Sequence, residues 1–144
     1  MRLAIRAGKW RSLSNAREPE LKRPIHMEIQ DFGKSKHHTQ LTELFPLFEE
    51  LESAVKNLAK WAKPRRVRTN LLNQPGKSLL LPEPLGVTLV ISAWNFPYNL
   101  SLVPVVGSMM AGNTTVLKPS ELAAESSRVM ANTTASSVLN ASPT

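Results

Sequence analysis

The residues best suited to chemistry lie in two short runs, Ser92-Ala93-Trp94-Asn95-Phe96-Pro97 and Leu117-Lys118-Pro119-Ser120-Glu121. Asn95 offers an amide donor at a turn between a strand and a helix, a placement suited to stabilising an oxyanion. Lys118 and Glu121 are three residues apart near a helix start and could bracket a ribose or a phosphate. Plainer uses exist for the same side chains. Trp94 serves equally as a core aromatic, Asn95 as a turn former and Lys118 as a solvated charge. Spacing alone does not choose between these readings.

The elements that must position them are legible around the two runs. Val87-Thr88-Leu89-Val90-Ile91 is rich in β-branched residues with almost no polar alternation, which predicts a strand buried on both faces. Asn95-Phe96-Pro97 ends it. Tyr98 to Ala111 reads as a helix despite Pro104, with Gly112-Asn113 as its stop. Thr114 to Leu117 is a second short strand, ended by Pro119, and Ser120 is placed to cap a further helix with Glu121 in its first turn. Strand, helix, strand, helix in this order predicts a βαβ unit with parallel strands. Each run then lies just past the carboxyl end of one strand, where open α/β sheets place their ligands.

Upstream, Thr39 to Ala62 has the clearest helical period. Leu41, Leu44, Phe45, Phe48, Leu51, Val55 and Leu58 recur at steps of three and four, predicting one apolar face. Pro46 requires a start or a bend near it, and Pro64 ends the helix. Arg65 to Gly86 reads as extended chain with a turn at Gln74-Pro75-Gly76 and a strand at Leu79 to Leu81. A short helix is expected from Leu3 to Ala7, irregular chain from Ser12 to Gln30 because of Pro19 and Pro24, and a frayed end past Met130.

The chain has 144 residues, 42% of them hydrophobic, which suffices for a core. It contains no cysteine. That excludes disulfides, thiolate zinc sites and a cysteine nucleophile within these residues, and no residues are assigned to a metal. His26, His37 and His38 lie in polar surroundings and are read as surface residues.

Eighteen Lys and Arg against 11 Asp and Glu give a formal charge of +7. The basic residues cluster at Arg2, Arg6, Lys9, Arg11 and Arg17, and again at Lys60, Lys63, Arg65, Arg66 and Arg68. With Trp10 and Trp61 nearby, these clusters permit nucleic-acid stacking or attraction to anionic lipid. Solvated charge at a helix end is the ordinary explanation, and nucleic acid is not the expected partner. No transmembrane segment or secretory signal is legible, so a cytoplasmic location is expected. The arginine-rich start makes a mitochondrial one the minor alternative.

Glu83-Pro84-Leu85-Gly86-Val87, Ala93-Trp94-Asn95-Phe96-Pro97, Ala111-Gly112-Asn113 and Lys118-Pro119-Ser120-Glu121 occur in an order and spacing that resembles the aldehyde dehydrogenase superfamily. The similarity is greatest to the class 3 type, which acts on fatty and aromatic aldehydes. Phe32-Gly33-Lys34-Ser35, Leu41-Thr42-Glu43 and Arg6-Ala7-Gly8-Lys9 resemble that class too.

The resemblance implies that Asn95 donates to a thiohemiacetal oxyanion and that Trp94 lines the cofactor pocket. It implies that Lys118 and Glu121 contact the adenosine ribose of NAD or NADP, with Ser92 and Ser120 as further cofactor contacts. Glu121 would repel a 2′-phosphate, which leans towards NAD. The implied fold is α/β, with N-terminal helices followed by the opening βαβ unit of an incomplete, Rossmann-like cofactor-binding domain. Its parts would be a basic segment with a short helix (1–30), an amphipathic helical region (31–64), a linker and bridging-arm strand (65–86), a partial dinucleotide-binding domain (87–131) and a polar tail (132–144).

Family members are several-fold longer. Their nucleophilic cysteine, general-base glutamate and pyrophosphate-binding glycine turn have no counterpart here. The expectation is therefore a truncated homologue that does not oxidise aldehydes alone. The alternative is a non-catalytic module that pairs with itself or with a full-length relative.

Overall fold

The computed structural model describes residues 18–139. The expected helix at Leu3 to Ala7 lies outside them. Helix α1 (Glu18–Phe32) runs through the stretch expected to be irregular, with Pro24 inside it. A proline there removes one intrahelical hydrogen bond and crowds the preceding turn. Tertiary contact outweighs that cost: Ile25 and Glu28 are buried, and α1 lies along the last helix of the chain. Gly33 closes α1 at φ 65°, its N–H donating to Ile29 O at 2.9 Å. Only glycine takes that left-handed conformation at little cost.

Ser35 then caps α2 (Lys36–Thr39) by accepting from His38 N at 3.2 Å. A π-helical turn (Gln40–Leu44) leads without a break into α3 (Phe45–Trp61). Pro46 explains the change of winding, because the wider turn ends where the ring enters the first turn of α3. The extra residue rotates the apolar stripe. Leu44, Leu51 and Leu58 are buried as expected, but Leu47 and Ala54 join them while Leu41 and Phe45 face solvent.

β1 (Arg65–Val67) and β2 (Ser78–Leu80) form an antiparallel pair with Arg66 opposite Leu79. β3 (Val87–Ile91) and β4 (Thr114–Lys118) form a separate parallel pair in the register Val87↔Thr114 through Ile91↔Lys118. Between them, α4 (Pro97–Met110) makes the crossover, so the βαβ unit is present. Gly112 turns the chain at φ 93°. The buried Asn113 then ties the start of both strands, its Oδ1 accepting from Gly86 N at 3.0 Å.

β3 and β4 are not buried on both faces as the sequence suggests. Thr88 hydrogen-bonds Ser108 of α4 on one side, while Val87, Leu89, Ile91 and Val116 are exposed on the other. The apolar run is thus half covered among the described residues. The core lies between α3 and α4, where Leu47, Leu51, Ala54 and Leu58 meet Val106 and Met110.

The last helix, α5 (Ala124–Leu139), differs from expectation at both ends. It continues well past Met130 instead of fraying there, and it begins after Glu121. Ser120 caps only the turn before it, accepting from Leu122 N at 3.3 Å. The cap of α5 comes from α1. Asp31 Oδ1 and Oδ2 accept from Glu125 N at 3.1 Å and Ser126 N at 2.8 Å. A carboxylate on the first amides of a helix contributes about 1 kcal/mol. Here it also locks two elements 94 residues apart in sequence. Among the described residues, no helix is long and apolar enough to cross a membrane.

Candidate functional site

The parallel pairing brings the two chemistry-bearing runs side by side. Ile91 is opposite Lys118, and Ser92 N donates to Lys118 O at 3.0 Å, extending the ladder by one bond. Beyond it, Trp94 and Asn95 leave the carboxyl end of β3 while Lys118 and Glu121 leave that of β4. All four are exposed. Lys118 Nζ meets Glu121 Oε2 at 2.8 Å, and this bond holds the Glu121 carboxyl below the usual carboxylate range. The pair presents a donor and an acceptor together at the surface. Trp94 tilts against Phe32 with ring centroids 5.8 Å apart, so it is a partly exposed wall and not a core aromatic. The Ser92 hydroxyl is shielded from solvent and has no hydrogen-bond partner among the described residues. Ser120, by contrast, is engaged in its own turn.

The turn that carries Asn95 is gripped by residues the site reading did not include. Lys34 reaches across from the α1–α2 connection, its Nζ donating to Asn95 O at 2.6 Å. The same ammonium contacts Glu43 Oε1 at 2.8 Å and Glu28 Oε1 at 3.3 Å, and lies 4.6 Å from the centre of the Phe96 ring. Glu43 Oε2 accepts from Tyr98 N at 3.0 Å and Asn99 N at 2.9 Å, so it caps α4. Thr39 Oγ1 donates to Glu28 Oε2 at 2.6 Å.

Glu28 and Glu43 are fully buried. Burial, followed by the hydrogen bond with Glu28, pushes the Glu43 carboxyl up to about 7. The Asn99 N–H and the Lys34 ammonium oppose that shift without cancelling it. Burial also holds the Tyr98 phenol well above its ordinary range, so it stays neutral.

The comparisons with known proteins identify the family. The model of the aldehyde dehydrogenase family matches residues 1–141. The chain belongs to that family. It is 44% identical over 101 residues to an aldehyde dehydrogenase of Craterostigma plantagineum, covering 70% of this chain and 21% of that one. It is 42% identical over 113 residues to aldehyde dehydrogenase family 3 member H1 of Arabidopsis thaliana, covering 78% and 23%. The substrate-bound state of Staphylococcus aureus AldH superposes with a TM-score of 0.83 at 33% identity, covering 89% of this chain and 28% of that one.

The succinic semialdehyde dehydrogenase of Streptococcus pyogenes, solved in complex with NADP+ as cofactor, shares the fold at a TM-score of 0.77 and 20% identity. It covers 89% of this chain and 27% of that one. Resemblance to class 3 aldehyde dehydrogenases, read from four motifs, is thereby confirmed, as is an incomplete α/β fold of this type. The chain spans about a fifth of the length of these curated relatives.

Proposed function

We propose that this chain supplies the oxyanion donor and the adenosine-side wall of an NAD(P)-dependent aldehyde dehydrogenase, and that it does not complete the reaction alone. The observation that carries the proposal is the Ile91↔Lys118 register, which sets the Asn95 turn beside the Lys118–Glu121 pair. The residues present fit the adenosine half of such a cofactor. The Ser92 hydroxyl has an unused hydrogen bond, and Lys118 with Glu121 offers both partners that a ribose diol needs. The exposed Glu121 carboxylate would repel a 2′-phosphate, which favours NAD over NADP. The bound nicotinamide would supply the hydride acceptor. Asn95 would hold the oxygen on which charge develops, and Trp94 would wall the pocket.

An oxyanion donor acts only on an oxyanion that a nucleophile has made. These 144 residues hold no cysteine to make it. The purified chain should therefore show no NAD(P)-dependent aldehyde oxidation above the buffer rate. Calorimetry with NAD should show weak binding that Lys118→Ala removes. Turnover that survives repeated purification, or micromolar binding indifferent to Lys118→Ala, would contradict the proposal.

The exposed apolar face of β3 and β4 favours a second reading, a structural module that pairs with other aldehyde dehydrogenase polypeptide. A sheet of two strands leaves its edges open, and Val87, Leu89, Ile91 and Val116 lie bare beside them. Sedimentation of the chain with a full-length class 3 subunit should then give a mixed species, which Leu89→Lys weakens. Independent sedimentation of a stable monomer would exclude this reading.

A further inference from the structure

Asn95 is exposed and its side chain makes no hydrogen bond among the described residues, the bond from Lys34 being to the backbone carbonyl. The direction of its amide is inherited from the backbone of residues 95–99. That backbone is held at both ends by groups remote in sequence. At the front, the Lys34 ammonium takes the Asn95 carbonyl at 2.6 Å and lies 4.6 Å from the Phe96 ring centre. At the back, the Glu43 carboxyl takes the Tyr98 and Asn99 amides at 3.0 and 2.9 Å, and Asn99 Nδ2 donates to Thr42 O at 3.0 Å. The two grips are joined by the 2.8 Å contact between Lys34 and Glu43.

Burying such a cluster is a poor way to gain stability, because desolvation consumes most of the attraction and apolar residues would pack as well. What an ionic cluster supplies and an apolar one does not is a set of directed bonds to the turn. We propose that Lys34 and Glu43 are positioning residues for the Asn95 amide, a role that rests on reading Asn95 as the oxyanion donor. Lys34 fixes the carbonyl of the turn, Glu43 fixes the first amides of α4, and their mutual contact keeps the two in register. The other titratable groups around Glu43 are Glu28 of α1 and the Tyr98 phenol of α4, and Asp31 of α1 acts on that phenol.

Hydrogen exchange of the full 15N-labelled chain tests this at the turn itself, with the core amides of Leu51 and Val106 as internal reference. Lys34→Met should lower protection at Tyr98, Asn99 and Leu100, the hydrogen-bonded amides of the turn, about tenfold more than at the reference amides. Lys34→Arg, which restores a charged donor, should recover part of it. Glu43→Gln is nearly isosteric and serves if Lys34→Met does not fold. Its oxygen still accepts from Tyr98 and Asn99, but its NH2 cannot accept from the Lys34 ammonium. The two grips then lose their link, so protection at the turn should fall while the reference is spared. Protection at the turn that tracks the reference amides in every folded variant would overturn the proposal. Such a result would leave the oxyanion reading standing. A loosened turn combined with no effect of Asn95→Ala on turnover in a competent enzyme would instead remove the oxyanion reading while leaving the grip itself intact.

Discussion

In an aldehyde dehydrogenase that carries residues 31–131 of this chain in place of its own matching segment, Asn95→Ala should lower kcat about 100- to 1000-fold. A fixed donor aimed at a developing oxyanion stabilises the transition state far more than the neutral carbonyl that precedes it. Removing it should therefore fall on kcat and kcat/KM together, with KM little changed. Asn95→Asp should be at least as damaging, because an ionised carboxylate offers only acceptors to a site that needs a donor. Steady-state kinetics with saturating cofactor, paired with a rapid-mixing measurement of the chemical step, would read both quantities. A loss confined to KM, or a chemical step slowed less than about tenfold, would remove Asn95 from the role. On the proposed assignment, Lys118→Ala in the same enzyme should raise the KM for the cofactor and leave the chemical step unchanged, which separates the two halves of the site.

The legible parts of this site were those made of local pattern. The two strands announced themselves through Val87-Thr88-Leu89-Val90-Ile91 and Thr114-Thr115-Val116-Leu117, and their parallel pairing followed from the helix between them. That pairing places the Asn95 and Lys118 runs together. Burial on both faces did not follow, since an apolar run records what a strand can be packed against and not what these residues supply.

The grip on the turn was invisible for a different reason. It is built from Glu28, Lys34 and Glu43, and charged residues are ordinarily read as solvated. Two signals were available: Lys34 and Glu43 lie in Phe32-Gly33-Lys34-Ser35 and Leu41-Thr42-Glu43, the runs that resemble the class 3 family, and the period of the buried stripe includes Glu43. Glu43 falls four residues before Leu47, in step with Leu51, Ala54 and Leu58 on the stripe that is buried. The expected stripe ran through Leu41 and Phe45 instead, because a π-turn ahead of Pro46 adds a residue that a 3.6-residue period does not anticipate. α1 was missed likewise: Pro24 argued against a helix, and among its described side chains the most buried is the glutamate Glu28, which no hydrophobic count registers.

The chain should lose about 2–3 kcal/mol of stability between pH 5 and pH 8 as the Glu43 carboxyl, buried beside Glu28, gives up its proton. The folded carboxyl is pushed up from 4.5 to about 7, chiefly by burial. Below 4.5 both the folded and unfolded chains carry the proton, and the contribution of the group is fully present. As pH rises past 4.5 the unfolded chain releases its proton first, whereas the folded chain must ionise a carboxyl shielded from water. Stability therefore falls until the pH passes about 7 and is level above it.

Glu43→Gln keeps an oxygen to accept from the Tyr98 and Asn99 amides but has nothing to titrate. The comparison of the two proteins thus isolates this group from the rest of the charge. Urea titrations at half-unit steps should give a difference in stability that shrinks or reverses by about 2–3 kcal/mol across this range. Two curves that stay parallel from pH 5 to 8 would mean that Glu43 is already ionised at the acid end. The Lys34 ammonium and the α4 amides would then have outweighed its burial, and the cluster would be a settled ion pair instead of a carboxyl that exchanges its proton near neutrality.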